Sequence, residues 1–236
     1  MKEVFLLISE SGACLFSPPL NRSHVRFDIG DAARDIAKQI EEGLGIVFKG
    51  KKLVLAANSK KTLIRVADVQ EFGYKRGFMR GKISGSDAWD VIKSVFPIGT
   101  SINEDTFLFD ISLFGDKKYV CFGLPVFLCE KFAEIGKELA GSIHRVSRLE
   151  TVENLVFAQH SRGSEIVIFP QDGGLRVLAV KDGLPENAFF ISNHPDRRGA
   201  EFELILDDIG GRRAISMSCF MPLGTYNDLE WIEKYK

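Results

Sequence analysis

Patterns that would mark a metal site or a disulfide framework are missing from this sequence. Four cysteines lie within apolar runs, and no two of them have CxxC spacing: Cys14, Cys121, Cys129 and Cys219. The four histidines, at positions 24, 144, 160 and 194, are dispersed along the chain. Because structural zinc sites use closely spaced thiolate or imidazole ligands, we expect no metal site and four buried, reduced thiols.

An excess of charge of either sign is also missing, and so is a long apolar run. The 31 lysines and arginines balance 32 aspartates and glutamates, which leaves a net charge of −1. This balance gives no overall field that would attract nucleic acid or anionic lipid. No apolar run approaches the roughly 20 residues that span a bilayer, and the apolar core of MKEVFLLISE is too short for a signal peptide. We therefore expect a cytoplasmic chain with no nucleic-acid partner and no direct membrane insertion.

What the sequence does contain is an order of strands and a helix that occurs twice. The 236 residues, 45% of them apolar, are enough for two lobes that each bury a core. Apolar spacing predicts strands at 3–9, 13–17 and 24–29, a helix from about Asp31 to near Gly43, and a strand at 52–58. The later pattern predicts strands at 165–170, 174–181 and 187–192, a helix over 199–209, a strand at 214–220 and a closing helix. The repeat implies two similar lobes of mixed sheet and helix that face a cleft.

The middle of the chain has a different pattern. A strand is predicted at 62–69, and after a glycine-rich, basic segment Ser86 begins a helix that Pro97 ends. The sequences TFLFDISLF and KYVCFGLP flank a Gly-Asp-Lys turn and predict a hairpin over 106–124. A helix that ends near Gly141 and a short strand are predicted after the hairpin.

Two expectations concern how these middle elements pack and connect. Trp89, Ile92 and Phe96 share one face of the helix after Ser86, so we expect them to pack on the hairpin. Replacing a buried Trp89 with alanine would then cost about 3–5 kcal/mol of stability. Thr151 has the side chain of a helix N-cap and predicts a helix that begins there.

Three segments of the chain resemble a family of actin homologues, the PilM-type pilus assembly proteins and the cytoplasmic part of the type II secretion L-component. The first is GKKLVLAANSKKTLIRVADV, with the later FPI and TFLFDISLF. The second is YVCFGLPVFLCEKFAEIGKELAGSIHRVSRLETVENLVFA, and the third is IVIFPQDGGLRVLAVKDGLPENAFFIS. Together they cover most of residues 45–192. The resemblance implies an α/β fold of mixed sheets, in which two RNase H-like lobes of the actin-like ATPase superfamily carry an inserted subdomain.

The resemblance also implies how the chain is divided. Residues 1–59 and 143–160 would form the first lobe, 61–142 the inserted subdomain, and 161–236 a second, shortened lobe. Cell-division actin homologues share the inserted subdomain and are a near neighbour of this pattern.

Residues that hold nucleotide in that family are largely replaced here. Active members carry an Asp-x-Gly pattern after each first strand, because the carboxylate orders the magnesium shell and the glycine lets the backbone approach phosphate. The first hairpin has no aspartate, and in the second the family's Asp-Ile-Gly falls on Phe169, Pro170 and Gln171. The strand AISMS leads into CFMPLGTYNDLEW instead of a glycine-rich adenosine turn. The vestiges of a nucleotide cleft would be Ser9, Glu10, Ser11, Gly12, Phe169, Gln171, Asp172, Gly173 and Gly174.

Both hairpin turns and a basic segment also have simpler interpretations. Tight turns between strands need glycine for a positive φ whether or not a ligand is bound, and Glu10 fits a solvated turn residue. The inserted subdomain contains a basic and aromatic segment that could bind an anion or single-stranded nucleic acid. A solvated loop or a contact for another protein fits this segment better, and its candidate partner-binding residues are Tyr74, Arg76, Phe78 and Arg80.

The resemblance and the replaced residues predict a non-catalytic actin-like scaffold of a type IV pilus or type II secretion assembly at the inner membrane. Its partner would be the cytoplasmic tail of a single-span membrane protein, which would hold this cytoplasmic chain peripheral to the membrane. No cofactor is expected. One alternative is an actin-like ATPase that binds ATP and magnesium, with Glu10 and Asp172 in place of the usual pair. Another is the remnant of a small-molecule kinase of the same fold.

Overall fold

The computed structural model describes most of the chain as β-sheets and α-helices. The described residues are 3–16, 24–72, 85–96, 98–99, 102–115, 117–141, 146–159, 163–171, 173–192, 194, 197–209 and 214–217. Among them no helix is both long enough and apolar enough to span a bilayer. The predicted closing helix and residues 218–220 of the last predicted strand lie outside this part of the chain.

Twelve strands and five α-helices occur in the described ranges. In chain order they are β1 (Glu3–Ile8), β2 (Gly12–Phe16), β3 (His24–Arg26), α1 (Ala33–Leu44), β4 (Lys52–Ala57), β5 (Leu63–Asp68), α2 (Gly85–Val95), β6 (Phe107–Phe114), β7 (Lys118–Pro125), α3 (Val126–Ala140), β8 (Val146–Thr151), α4 (Val152–Gln159), β9 (Glu165–Gln171), β10 (Gly174–Lys181), β11 (Leu184–Ser192), α5 (Arg198–Asp208) and β12 (Ala214–Met217). A short 3₁₀ helix, Val69–Phe72, follows β5.

The strands form three sheets, and two of these sheets repeat one order. The first sheet has the order β3-β2-β1-β4-β8, and the second sheet has the order β11-β10-β9-β12. In each, an antiparallel meander is followed by a strand parallel to the first of its strands. This confirms the predicted repeat. The helix predicted over 199–209 is also confirmed, because α5 buries Phe202, Ile205 and Leu206 against the second sheet.

Helix α1 ends near Gly43, as predicted, and this glycine has a steric role. Its buried residues, Ile36, Ala37 and Ile40, have helical spacing and pack in the core of the first sheet. The helix ends at Leu44, and its C-cap is Gly45, whose φ of +63° is the left-handed conformation that glycine adopts most easily. A Cβ at Gly43 would collide with the side chain of Val25, so this glycine allows α1 to approach β3 closely.

The third sheet, here called the inserted sheet, has the order β5-β7-β6 and is covered by α2. The ring of Phe109 on β6 lies 5.7 Å from that of Trp89 and 5.4 Å from that of Phe96, centroid to centroid. Ile92 is buried in the same cluster. The predicted packing of this helix on the hairpin is therefore confirmed, although Trp89 is only half-buried.

Helix α3 follows β7 directly and packs against α1 and the first sheet. Its apolar face, with Leu128, Phe132 and Ile135, lies in the same core as the buried face of α1. The predicted division places α3 within the inserted subdomain, 61–142. Those domain boundaries stay a prediction, and the packing of α3 associates this helix with the first lobe.

One apolar cluster joins all three sheets, and we call it the interlobe core. Helix α4 lies within it, and β11 of the second sheet also contacts β5 of the inserted sheet. Its buried members are Leu7, Cys14, Ala56, Ile64, Val120, Phe122, Val152, Val156, Phe157, Val167, Phe169, Leu178 and Val180. The inner faces of the two lobes are thus packed against one another.

Candidate functional site

The first hairpin turn, between β1 and β2, is closed by the hydroxyl of its own serine. The N–H of Ser9 donates to the carbonyl of Gly12 at 2.8 Å. Oγ of Ser9 accepts the N–H of Ser11 at 3.2 Å and lies 3.3 Å from the carbonyl oxygen of Gly12, to which it donates. Two N–H groups that a phosphate could otherwise use are therefore engaged within the turn.

Glu10, the carboxylate of this turn, faces the turn between β4 and β5. Oγ of Ser59 donates to Oε1 of Glu10 at 2.7 Å. The other oxygen, Oε2, is buried and accepts no hydrogen bond from the described residues. Among all the residues that the structure describes, no three His, Cys, Asp or Glu side chains come together as a metal site. One carboxylate beside one hydroxyl is a sparse set for Mg²⁺, which demands octahedral oxygen coordination.

The second hairpin places an apolar ring where the resemblance expects a carboxylate. Phe169 is 0% exposed and lies in the interlobe core, opposite Arg176 in the antiparallel pairing of β9 with β10. Pro170 pairs with Leu175 in the same register, and Gln171 ends the strand in a buried position. Asp172 lies outside the described residues. A buried phenyl ring offers no ligand to a metal ion or to its bound water.

The two glycines after Asp172 each have a local structural reason. Gly173 has a φ of +81°, a conformation that residues with a Cβ rarely adopt. A Cβ at Gly174 would fall far inside van der Waals contact with the carbonyl oxygen of Ile191 and the ring of Phe190. Gly173 therefore forms the turn and Gly174 lets β11 approach, and neither role needs a ligand.

The turn between β4 and β5 lies between the two hairpins, a feature that the sequence analysis missed. Ser59 bonds Glu10 of the first hairpin, and a Cβ at Gly173 of the second would lie 3.2 Å from Nζ of Lys60. Asn58, Ser59 and Thr62 are all buried. The signal in the sequence was the short polar run NSKKT between two apolar strands. This turn therefore bonds the first hairpin through Ser59 and comes near the second through the exposed side chain of Lys60.

A buried ion pair, which the sequence analysis also missed, lies beside the second hairpin. Nε of Arg176 is 3.1 Å from Oε1 of Glu153, and the two side chains are 6% and 0% exposed. Gln171 links them, because its Nε2 donates to Oε1 of Glu153 at 2.8 Å and its Oε1 accepts from Nε of Arg176 at 3.1 Å. Nη2 of Arg176 donates to the carbonyl of Thr62 at 3.2 Å.

Burial changes the acid–base properties of both partners. It raises the pKa of the Glu153 carboxyl above its ordinary value, and the positive charge of Arg176 opposes that change. Burial likewise lowers the pKa of the Arg176 guanidinium, which the charge of Glu153 opposes. The sequence carries a signal for each residue alone, since GLRVLAV and TVENLVF are apolar segments with one charged residue. Nothing in the sequence pairs the two.

The three cysteines that the structure describes are not candidates for nucleophilic chemistry. Cys14, Cys121 and Cys129 are buried free thiols, as the sequence predicted. Burial raises the pKa of Cys14 and of Cys129 to about 11, and that of Cys121 to about 12. A thiol is reactive as its thiolate, so these three are inert near neutral pH. Cys219 lies outside the described residues.

A pocket of about 190 Å³ lies between the inserted sheet and the edge of the first lobe. At its first-lobe side, Oγ1 of Thr151 accepts the N–H of Asn154, which confirms Thr151 as the N-cap of α4. Nδ2 of Asn154 donates to Oε2 of Glu150 at 2.8 Å. The lining residues are Leu108, Phe109, Asp110, Phe122, Leu124, Cys129, Leu149, Glu150, Thr151 and Asn154.

The remaining candidates from the sequence cannot be placed against this geometry. Tyr74, Arg76, Phe78 and Arg80 all lie outside the described residues. Among the cleft candidates, the structure brings Glu10 close to Ser59, and Gln171 close to Glu153. It separates the two hairpins by the β4–β5 turn.

The repeated strand order, the helices on both lobes and the inserted sheet define the class of this fold, which is the actin-like ATPase fold. A solved protein of Bacteroides thetaiotaomicron, described as having an actin-like ATPase fold and unknown function, matches with a TM-score of 0.60. That match covers 98% of this chain and 85% of the other, at 8% identity. The fold expected from the sequence is thus confirmed.

Two further solved structures share the fold. The cytoplasmic domain of EpsL, an inner membrane component of the type II secretion system of Vibrio cholerae, matches with a TM-score of 0.54 at 8% identity. This match covers 94% of this chain and 87% of the EpsL domain. A chain of the PilM–PilN type IV pilus biogenesis complex matches with a TM-score of 0.51 at 11% identity. This match covers 89% of this chain and 66% of the other. No protein-family model and no curated protein matches the sequence.

Proposed function

We propose that this chain is a non-catalytic actin-like scaffold of a type IV pilus or type II secretion assembly at the inner membrane. The observation that carries the proposal is the position of the β4–β5 turn, which bonds the first hairpin and comes near the second. Ser59 bonds Glu10 there, and Lys60 lies against the turn at Gly173. A nucleotide's phosphates would have to displace this segment.

The chemistry of the second hairpin supports the same proposal. Phosphoryl transfer needs positioned donors and a metal to stabilise the charge that develops in the transition state. Phe169 replaces a carboxylate with a buried ring, and Pro170 has no backbone N–H to donate. Nε of Arg176 contacts Gln171 and Glu153, and Nη2 donates to the carbonyl of Thr62. We propose that the protein uses no nucleotide cofactor.

The pocket beside the inserted sheet is the proposed binding place for a partner. Its walls are largely apolar, and Asp110 and Glu150 add carboxylates. Leu108 on its rim is 52% exposed, although it is a large apolar side chain. We propose that the pocket binds the cytoplasmic tail of a single-span membrane protein. An apolar side chain of the tail would enter the pocket, and a neighbouring basic side chain of the tail would face its carboxylates. The chain would then be cytoplasmic and peripheral to the membrane through this partner.

The solved structures support the setting of this proposal. One is the cytoplasmic domain of an inner membrane component of a secretion system, and another comes from a complex with a second pilus protein. Tyr74, Arg76, Phe78 and Arg80 stay candidates for a further part of the interface.

Titration with synthetic tail peptides tests the partner. The peptides would be the cytoplasmic tails of single-span proteins encoded next to this chain's reading frame, and fluorescence anisotropy would report binding. Leu108→Asp should weaken binding by about tenfold or more, as expected for an apolar anchor. Leu204→Asp is the matched control, because Leu204 is 69% exposed on α5 and lies outside the pocket. No binding by any tail, or an equal loss in both variants, would overturn the proposed partner.

A nucleotide-binding actin-like ATPase is the second candidate. The buried and unpartnered Oε2 of Glu10 favours it, because such an oxygen could accept a hydrogen bond from metal-bound water. This candidate needs the β4–β5 turn to move away from the first hairpin. Titration with Mg-ATP tests this candidate directly.

A further inference from the structure

The side chain of Arg176 contacts parts of the chain that belong to different units of the fold. Arg176 lies on β10 of the second sheet, and Nε reaches Glu153 on α4 at 3.1 Å. Nη2 reaches the carbonyl of Thr62, one residue before the first strand of the inserted sheet, at 3.2 Å. Gln171, at the end of β9, bonds both charged groups. One guanidinium thus connects the second lobe to α4 and to the inserted sheet.

These contacts are sealed from solvent. Arg176 and Glu153 are 6% and 0% exposed as side chains, and Gln171 is also buried. The guanidinium lies over the ring of Phe190 on β11, with its carbon 5.6 Å from the ring centroid. The interlobe core continues from this cluster, and β11 contacts β5 beside it. Separating the lobes would therefore expose an apolar core and a charged pair together.

We propose that Glu153, Gln171 and Arg176, with the carbonyl of Thr62, form a latch that holds the two lobes and the inserted sheet in one fixed arrangement. The chain therefore does not open and close about its cleft. The inference rests on these contacts and goes beyond the proposed scaffold function, since it holds whichever partner the chain binds.

A latch differs from ordinary core packing in what it controls. Apolar residues of similar volume can replace a buried ion pair with little loss of stability, or even with a gain. Charge-assisted hydrogen bonds are directional, so they fix the relative position of the groups that they join. The distance between the lobes, and not stability alone, is the property that the latch determines.

Electron paramagnetic resonance distances between spin labels on the two lobes test the latch. Ketone-bearing residues at Lys38 of α1 and Asp207 of α5, both exposed, would carry the labels without changing the native cysteines. The wild type should give one narrow distance distribution. Arg176→Met should broaden it or add a longer distance. Lys118→Met is the control, because Lys118 pairs with Asp68 at 2.9 Å within the inserted sheet and should leave the distribution unchanged.

An unchanged narrow distribution in folded Arg176→Met would overturn the proposal. If that variant does not fold, Glu153→Gln keeps the volume and one acceptor oxygen, and the same broadening is expected. Hydrogen exchange of the wild type gives a second readout that needs no variant. Amides of β10, α4 and β5 should exchange through one common opening. Exchange of β10 through an opening that leaves α4 and β5 protected would also overturn the proposal.

Discussion

Phe169 and Arg176, which lie opposite each other on β9 and β10, account for much of the difference from a phosphate-binding hairpin. The ring of Phe169 fills part of the interlobe core, where it excludes water. An arginine beside such a hairpin could bind phosphate through its forked donors. Here Glu153, Gln171 and the carbonyl of Thr62 already engage those donors. At the scale of residues, the positive charge of this hairpin is used within the protein.

Replacing Gly174 tests whether the glycine pair is structural. Gly174→Ala should lower the free energy of unfolding by about 1–3 kcal/mol or more, because the added methyl group collides with the carbonyl of Ile191. Gly199→Ala is the matched control, since nothing lies within 4 Å of its Cβ position and it lies in α5. That change should be neutral or stabilise by up to about 1 kcal/mol. Urea unfolding measures both, and equal stabilities would contradict the packing role of Gly174.

The pH dependence of stability tests the state of Glu153. Burial raises the pKa of this carboxyl above its ordinary value of 4.5 in the folded protein. The stability that it contributes is therefore fully present below the unfolded pKa and is lost as pH rises through the folded pKa. Relative to Glu153→Gln, which does not titrate, the wild type should lose stability as pH rises above about 4.5. Urea unfolding between pH 4.5 and 7.5 measures the difference, and the opposite slope would mean that Arg176 outweighs burial.

At the scale of elements, most strands and helices could be predicted because each depends on its local sequence. Short, nearly continuous apolar runs mark β9 and β10, and helical spacing marks α1 and α5. The end of α1 near Gly43 was predicted, but the separate role of this glycine could not be predicted from local signals alone. Gly43 and Gly45 both fit a helix end, and the contact of Gly43 with Val25 that separates their roles is tertiary.

The candidate site was predictable only in part. The two hairpin turns and the loss of the carboxylate at Phe169 follow from the sequence and the resemblance. Glu153 and Arg176 meet only when α4 packs against β10, and the pocket forms only when β6 lies near β8. Such contacts depend on how the lobes are arranged, which no local pattern contains.

The packing of α2 on its hairpin predicts an order of mutational effects. Phe96 is buried, so Phe96→Ala should cost about 3–5 kcal/mol. Trp89 is half-buried, with Nζ of Lys93 5.3 Å from its ring centroid, so Trp89→Ala should cost less than the value expected from the sequence, roughly 1–3 kcal/mol. Chemical denaturation measures both variants. A larger cost for Trp89 than for Phe96 would contradict this packing.

At the scale of the whole molecule, three sheets share the interlobe core, and the β4–β5 turn bonds the first hairpin. A nucleotide cycle requires a cleft that admits phosphates and lobes that move about it. A scaffold requires a rigid body with a surface for its partner, and the pocket between the inserted sheet and the first lobe is the surface that we propose. These features support the proposal that the chain binds a partner without turnover.

Isothermal titration calorimetry with Mg-ATP tests the central claim most directly. We predict no heat beyond that of dilution, and phosphate release equal to that of buffer, because Ser59 of the β4–β5 turn engages Glu10 and the buried ring of Phe169 offers no ligand to a metal. A dissociation constant in the micromolar range would contradict the account. The contradiction would be decisive if Glu10→Ala or Asp172→Ala abolished that binding while Gly199→Ala retained it.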